Sequence, residues 1–187
     1  MAGRGEETRQ QILGAAIAEF SQYGIAGARV DRIAKTAGAN ISSLFRYFGN
    51  KALLFDAAFD ALAVRSIDVV PFDAELLPEY AGKLMDHYRA NADLVRLSAW
   101  YQLERPSEQA PAPVVASEWN KLEAIRQAQA AGKVSNQFAP PELLSMILHL
   151  SLIATGATPI ISATATDFDA ARRSVVDAVQ ALTRVEC

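Results

Sequence analysis

Apolar residues recur at helical spacing on both sides of a glycine in residues 29–51. The first half of this segment carries apolar residues three and four positions apart, which predicts one face of a short helix: Val30, Ile33, Ala34 and Ala37. Gly38 supplies the backbone freedom of a sharp turn, and Asn40 suits the N-cap of a second helix. Leu44 and Phe48, four residues apart, would anchor that helix. The segment therefore predicts a helix-turn-helix that reads the DNA major groove, with an ordinary tight corner of an all-helical protein as the alternative.

Helical periodicity continues through the rest of the chain, and no segment alternates in the manner of a strand. A first helix over about residues 6–23 would brace the two helices of the reader, and Gly24 can end it. A fourth helix over about residues 50–70, capped by Asn50, would bridge the reader to the remainder. The pattern predicts an all-α fold of about nine helices. We expect a helix-turn-helix domain over residues 1–51 and a helical body over residues 52–187.

Two apolar stretches in the C-terminal half need buried surroundings. Residues 143–165 carry no formal charge, but a histidine, a glycine, a proline and many hydroxyl side chains argue against a membrane span. A helix that is apolar nearly all round is more simply buried by its own body and by a partner chain. From Phe168 the apolar residues follow alternating steps of three and four, which suits packing along a partner helix or docking on the chain's own core. A helix over about residues 114–131 would place three apolar residues on one face: Trp119, Leu122 and Ile125.

Composition places the chain among folded proteins, because 51% of its 187 residues are hydrophobic and 21% are charged. The single cysteine, Cys187, excludes an intrachain disulfide, and the polar N-terminus is unlike a secretory leader, so we expect a cytoplasmic protein. The net charge of −3 is unevenly divided. Residues 1–51 hold seven Lys and Arg against four acidic residues, whereas the remainder holds eleven against seventeen. Basic residues therefore concentrate in the segment of the reader, as a phosphate-facing surface requires.

Sequence motifs of catalysis are absent. The chain has no Walker loop, no dinucleotide-binding glycine motif after a strand, no zinc-protease motif and no nucleophile elbow. His87 and His149 are the only histidines and are far apart in the sequence, without a carboxylate at metal-ligand spacing. We therefore expect neither an enzyme nor a cofactor or metal site.

The reader resembles the signature of the TetR (tetracycline-repressor-like) family of bacterial regulators. The resemblance rests on a capping residue before the second helix and on these further positions: Ile33-Ala34, Ala37-Gly38, Leu44-Phe45-Arg46-Tyr47-Phe48 and Lys51. It covers about the first sixty residues, and the rest of the chain is similar to the family only in length and helical layout. The resemblance implies a dimeric repressor with an N-terminal DNA-binding domain and a C-terminal body for dimerisation and effector binding.

Four DNA-binding candidates lie within the second helix of the reader. Ser42 and Ser43 stand near its start, where base edges come closest. Arg46 suits either guanine O6 and N7 or a phosphate, and Phe45 suits either a thymine methyl group or a sugar. Leu44 and Phe48 would be structural.

Four further DNA-binding candidates surround these. Tyr47 and Lys51 suit phosphates, which position a reader without reporting base sequence. Arg29 stands where many family members have a capping Ser or Thr, and suits either a phosphate or the open surface. Ile41 stands where many members have a lysine or another polar residue that contacts the DNA backbone.

The resemblance also implies an effector pocket and a dimer interface. Candidates for a mainly apolar pocket wall would equally suit a sealed core: Phe59, Leu62, Tyr88, Trp100, Tyr101 and Trp119. Family members typically pair their last two helices, which gives these interface candidates: Leu148, Leu152, Val175, Val179 and Leu182. The expected partners are a double-stranded DNA operator with inverted half-sites about one helical turn apart, an unidentified small effector and a second copy of the chain, without a membrane. The alternative is an all-helical ligand-binding or adaptor protein without sequence-specific DNA binding.

Overall fold

The computed structural model describes residues 3–105, 110–155 and 167–185. Within these ranges the regular structure is α-helical, as predicted, and forms nine helices: α1 (Arg4–Gly27), α2 (Val30–Thr36), α3 (Ile41–Phe48), α4 (Lys51–Ser66), α5 (Leu77–Ala90), α6 (Ala92–Glu104), α7 (Ala112–Ala130), α8 (Pro140–Leu150) and α9 (Phe168–Thr183). The chain divides into two compact units, Met1–Ser66 with Asp93–Pro111, and Ile67–Ala92 with Ala112–Cys187. Helix α6 thus groups with the reader helices, although the sequence assigned it to the larger body.

The helices of the first unit pack around one apolar core. Its largest fully buried side chains come from all five helices: Ile12, Phe20, Ile33, Leu44, Leu54, Phe55 and Leu97. Phe20 of α1 meets Phe55 of α4 edge to face, with ring centroids 5.2 Å apart. The guanidinium of Arg105, just after α6, donates from Nε to Asp56 of α4 at 2.9 Å. Helices α4 and α6 are therefore tied to the same core that supports the reader.

Helix α1 is interrupted at Gly24, where φ is 61° and ψ is −174°. Glycine has free access to this backbone region because it lacks a Cβ atom. Residues 25–27 continue as a further turn, so α1 extends beyond the predicted end. The indole ring of Trp100 in α6 packs directly on the glycine, and a Cβ atom placed there would lie 2.7–2.9 Å from three ring carbons. Position 24 therefore requires glycine for its backbone and for its neighbour.

In the second unit α5 packs against both α8 and α9, and α7 packs against α8. The core takes its large buried side chains from all four helices: Leu77, Met85, Ile125, Leu143, Ile147, Val175 and Val179. Arg172 of α9 extends over Gly82 of α5, where a Cβ atom would lie 2.9 Å from the guanidinium. Arg172 donates from Nε and Nη2 to both carboxylate oxygens of Asp86 at 2.9–3.0 Å. The last helix is thereby fixed along α5.

The apolar seam of α9 faces the core of its own protomer, which corrects two of the interface candidates. Val175 is 2% exposed and Val179 is fully buried, so neither can contact a partner chain. A spacing of three and four residues is the same for a helix docked on its own core and for one paired with a partner. The remaining candidates, Leu148 and Leu182, are half-buried, as is Leu152 in the turn after α8.

Helix α8 ends at Leu150, so the single helix expected over residues 143–165 is wrong in its described part. The buried hydroxyl of Ser151 donates to the carbonyl of Ile147 at 2.8 Å. Residues 151–155 form turns, and residues 156–166 lie outside the described residues. No helix within the described ranges is both long and apolar enough to cross a membrane.

Trp119 also departs from its prediction, because its side chain is 67% exposed on α7 while Ile125 is fully buried. Six residues separate them, which is a rotation of about 240° around an α-helix. Trp119 therefore points away from the core that Ile125 fills.

Candidate nucleic-acid interface

Helix α3 buries one face and exposes the other. Leu44 is fully buried and Phe48 is 7% exposed, and both belong to the core of the first unit. Ile41 and Phe45 are 44% and 40% exposed. Ser42 and Arg46 are exposed as well, and Ser43 is half-buried. The two anchors hold α3 at the surface with a mixed polar, basic and apolar face outward.

The N-terminus of α3 is fixed by Asn40. The Asn40 Oδ1 atom accepts a hydrogen bond from the backbone N–H of Ser43 at 2.7 Å, which confirms the predicted cap. A second confirmed cap lies at α4, where the Asn50 Oδ1 atom accepts from the N–H of Leu53 at 2.9 Å. Because both ends of the segment between these caps are hydrogen-bonded, the exposed side chains of α3 project from a fixed backbone.

Arg46 and Tyr47 form a stacked pair on α3. The Arg46 guanidinium lies over the Tyr47 ring, 5.2 Å from its centroid. Tyr47 is half-buried and packs on the core, and its hydroxyl lies 3.2 Å from the point that a Cβ atom on Gly5 would occupy. The N-terminal turn of α1 therefore lies beside the aromatic partner of Arg46.

Glu19 of α1 braces the N-terminus of α2, which has no capping side chain of its own. One carboxylate oxygen accepts from the backbone N–H of Arg29, the N-cap residue, at 2.8 Å. The same carboxylate accepts hydrogen bonds from Nε and Nη2 of Arg32 at 2.6–3.2 Å, and these bonds raise the pKa of Arg32. The Arg32 guanidinium also lies 4.5 Å from the ring centroid of Tyr23. Sequence reasoning missed Glu19, and the only signal for it was the absent hydroxyl at position 29.

The predicted phosphate contacts of Arg29 and Lys51 have intramolecular partners in the structure. Arg29 pairs with Asp31 at 2.8 Å while its own side chain stays 63% exposed, and this hydrogen bond lowers the pKa of Asp31. The Lys51 ammonium donates to the carbonyl of Ala28 at 2.8 Å and to that of Ala26 at 3.3 Å. Carbonyls at the C-terminal end of α1 therefore already accept from Lys51, because their partial negative charge attracts a cation.

The six pocket candidates divide between the two units. Phe59 and Tyr101 stack with centroids 3.7 Å apart, and both lie in the first unit with buried Leu62 and half-buried Trp100. Tyr88 and the exposed Trp119 belong to the second unit. An open cleft of about 450 Å³ in the second unit has none of the six in its wall and is lined by Phe72, Asp73, Ala74, Glu75, Ala124, Gln127, Ala128, Ala131 and Lys133. The described residues contain no group of His, Cys, Asp and Glu that could hold a metal ion.

Two family models match this chain, and together they span most of it. The model for bacterial regulatory proteins of the tetR family matches residues 12–58, which include all of α2 and α3. The model for the tetracyclin repressor-like C-terminal domain matches residues 77–181, from the start of α5 to the last turns of α9.

Individual relatives agree with these matches. The HTH-type transcriptional repressor SCO4008 of Streptomyces coelicolor is 33% identical over 154 residues, which are 81% of this chain and 80% of that protein. The transcriptional regulator SCO4942, also from Streptomyces coelicolor, has a crystal structure similar at a TM-score of 0.84, with 35% identity over 96% of this chain and 99% of that one. The regulator FadR of Bacillus subtilis, solved in complex with stearoyl-CoA, shares the fold at a TM-score of 0.64 and 16% identity, over 91% of this chain and 97% of that one.

Proposed function

This chain belongs to the tetR family of bacterial regulatory proteins, and on that premise we propose that it represses transcription by binding an inverted-repeat operator as a homodimer. Members of this family are DNA-binding transcription factors rather than enzymes. A small, mainly apolar effector releases the operator. The observation that carries the proposal is the exposed face of α3, held outward by Leu44 and Phe48 and fixed by the Asn40 cap.

On this face, Ser42, Ser43 and Arg46 contact base edges in the major groove. The Ser43 hydroxyl is free for this contact because the cap uses only its backbone N–H. Arg46 offers a planar set of donors that matches guanine O6 and N7, and its stacking on Tyr47 limits the directions in which it can point. Base contacts of this kind specify sequence, so Arg46 is the residue whose loss most directly tests the proposal.

Phosphate contacts position the reader beside these bases. Tyr47, Arg29 and Lys51 supply them, together with the net positive charge of residues 1–51. The Lys51 ammonium has three N–H donors and uses two on the carbonyls of Ala26 and Ala28, which leaves one for a phosphate. The exposed guanidinium of Arg29 exchanges Asp31 for a phosphate at little cost, because surface ion pairs contribute at most about 1 kcal/mol.

Effector release follows from a difference in affinity between two conformations of the dimer. Half-buried aromatic side chains supply candidate walls for the effector in each unit, including Phe59, Trp100 and Tyr101 in the first and Tyr88 in the second. An effector that binds the non-reading conformation more tightly shifts the population away from DNA by that difference alone.

The test is fluorescence anisotropy with the DNA upstream of the chain's own coding sequence and a scrambled duplex of equal composition. The unmodified protein should prefer the upstream duplex, with an affinity that falls steeply as salt rises. Arg46→Ala should reduce that preference by about 5- to 150-fold, since a bidentate base contact is worth about 1–3 kcal/mol. Arg126→Ala, which removes an exposed arginine from the second unit, should bind as the unmodified protein does. Equal binding to both duplexes at every salt concentration would refute the proposal.

A second experiment tests the homodimer. Leu182→Glu places a charge at one of the three half-buried interface candidates, the others being Leu148 and Leu152. It should shift the chain toward monomers in sedimentation velocity, because a buried unpaired charge is strongly unfavourable. Gln180→Glu introduces the same charge at an exposed position of α9 and should leave the dimer intact. A native dimer that persists in Leu182→Glu would place the interface elsewhere.

A further inference from the structure

Two large apolar side chains stand exposed on the solvent side of α3. Ile41 is 44% exposed and Phe45 is 40% exposed, and neither belongs to the core cluster of the first unit. They lie four residues apart on a helix of only eight residues. Side chains at this spacing share one face of a helix, with Cβ atoms about 5–6 Å apart. Together they form an apolar pair that the fold itself does not bury.

Neither side chain can form the hydrogen bonds by which proteins hold phosphates or read polar base edges. Isoleucine and phenylalanine have no polar side-chain atom. Among the groups that DNA exposes in the major groove, the C5-methyl group of thymine is the apolar one. If Ile41 and Phe45 lie in the groove, their burial stabilises the complex only where they contact thymine methyl groups.

We infer that Ile41 and Phe45 form a hydrophobic reader for the methyl groups of thymines in each operator half-site. The inference rests on the proposed DNA-binding function and adds a base preference to it. Because stacked bases are about 3.4 Å apart along a strand, side chains about 5–6 Å apart reach thymines at adjacent base pairs or with one pair between them. Arg46 directly follows Phe45 in α3 and supplies a polar base contact next to these methyl contacts.

The experiment removes the methyl groups without changing base pairing. The full-length chain first selects its preferred duplex from a random-sequence DNA pool. Each thymine of the selected half-sites is then replaced by deoxyuridine, which lacks only the C5-methyl group, and affinity is measured by anisotropy. The unmodified protein should lose about four-fold in affinity for each methyl group that it buries, and about 15-fold for two. Deoxyuridine outside the half-sites should have no effect.

Matched variants assign the effect to the two residues. The double variant Ile41→Ala with Phe45→Ala should bind the thymine and deoxyuridine duplexes equally, since nothing remains to contact the methyl groups. Leu53→Ala removes an apolar side chain of α4 that is even more exposed, at 54%, and should retain the full sensitivity to deoxyuridine. Circular dichroism checks that each variant is folded. We expect all of them to fold, because the three substituted positions are exposed.

Three outcomes would overturn the inference. Specific binding that is unchanged by deoxyuridine at every half-site thymine would refute methyl recognition while leaving the proposed DNA-binding function intact. Sensitivity that persists in the double variant would assign the methyl contact to other residues. A chain that selects no preferred duplex would overturn both the inference and the function on which it rests.

Discussion

Replacing Gly24 by alanine should destabilise the first unit more than any other glycine-to-alanine change in α1. The substitution adds a single methyl group, but two separate features of the structure oppose it. The backbone at position 24 has φ 61° and ψ −174°, in a region that is essentially restricted to glycine. The new Cβ atom would also lie 2.7–2.9 Å from three ring carbons of Trp100.

The two effects can be given magnitudes. Holding a non-glycine residue in this backbone region costs about 1–3 kcal/mol. Forcing one extra carbon against a packed side chain typically costs about 1–3 kcal/mol, because the ring must shift or the backbone must move. Their sum of about 2–6 kcal/mol is a large share of the 5–15 kcal/mol that stabilises a typical protein of ordinary size. With a urea dependence of about 2 kcal/mol per molar, the unfolding midpoint should fall by about 1–3 M.

Urea unfolding followed by circular dichroism measures this shift, and Gly14→Ala is the matched control. Gly14 also lies in α1, but a Cβ atom there would have no heavy atom within 4 Å. This change should stabilise the protein by about 0.5–1 kcal/mol, because alanine is the better helix former. Adding Trp100→Leu to Gly24→Ala should recover the steric part of the loss and leave the backbone part. A loss below about 1 kcal/mol for Gly24→Ala would show that neither the backbone conformation nor the Trp100 ring opposes a side chain at position 24.

Three further predictions concern stability. Glu19→Ala should lower the free energy of unfolding by about 1 kcal/mol and weaken operator binding, because the N-terminus of α2 loses the carboxylate that accepts from the Arg29 N–H. Glu19→Gln keeps an acceptor for that N–H and should lose less stability in the same urea assay. Asn40→Ala should lower the free energy of unfolding by about 1 kcal/mol, because it removes the N-cap of α3. Asn40→Asp can still accept from the Ser43 N–H and should keep the stability of the unmodified protein. Equal losses in the two variants would contradict the capping role of Asn40. Burial lowers the pKa of His87, so the unfolded chain binds the proton more readily and stability should fall as the pH drops below about 6.5. His87→Gln should reduce the loss between pH 7.5 and 5.5, and an unchanged loss would show that other groups cause it.

Local features of the reader were predictable from the sequence because they depend on neighbouring residues. Asn40 caps α3 through the N–H of Ser43, three positions away, and Asn50 caps α4 in the same manner. Leu44 and Phe48 point inward because a spacing of four residues places them on one face of a helix. Such interactions can be inferred wherever the backbone conformation is helical.

The features that sequence reasoning missed depend on contacts between distant segments. Glu19 caps α2 across the first unit, and Lys51 binds carbonyls that precede it by more than twenty residues. Helical periodicity shows that α9 has an apolar face but does not show what covers it. The sequence therefore leaves Val175 and Val179 as candidates both for a partner interface and for the chain's own core, and the structure buries them in that core. The end of α8 at Leu150 also had no local signal, because the apolar run continues past it.

Selection of DNA from a random-sequence pool by the full-length chain, followed by sequencing, shows whether the exposed face of α3 reads a base sequence. The unmodified chain should enrich an inverted repeat whose half-sites are centred about one helical turn apart, and Arg46→Ala should lose that enrichment. A pool that stays random after repeated selection by the unmodified protein, or an enriched motif that Arg46→Ala selects equally well, would contradict the claim that the exposed face of α3 reads DNA.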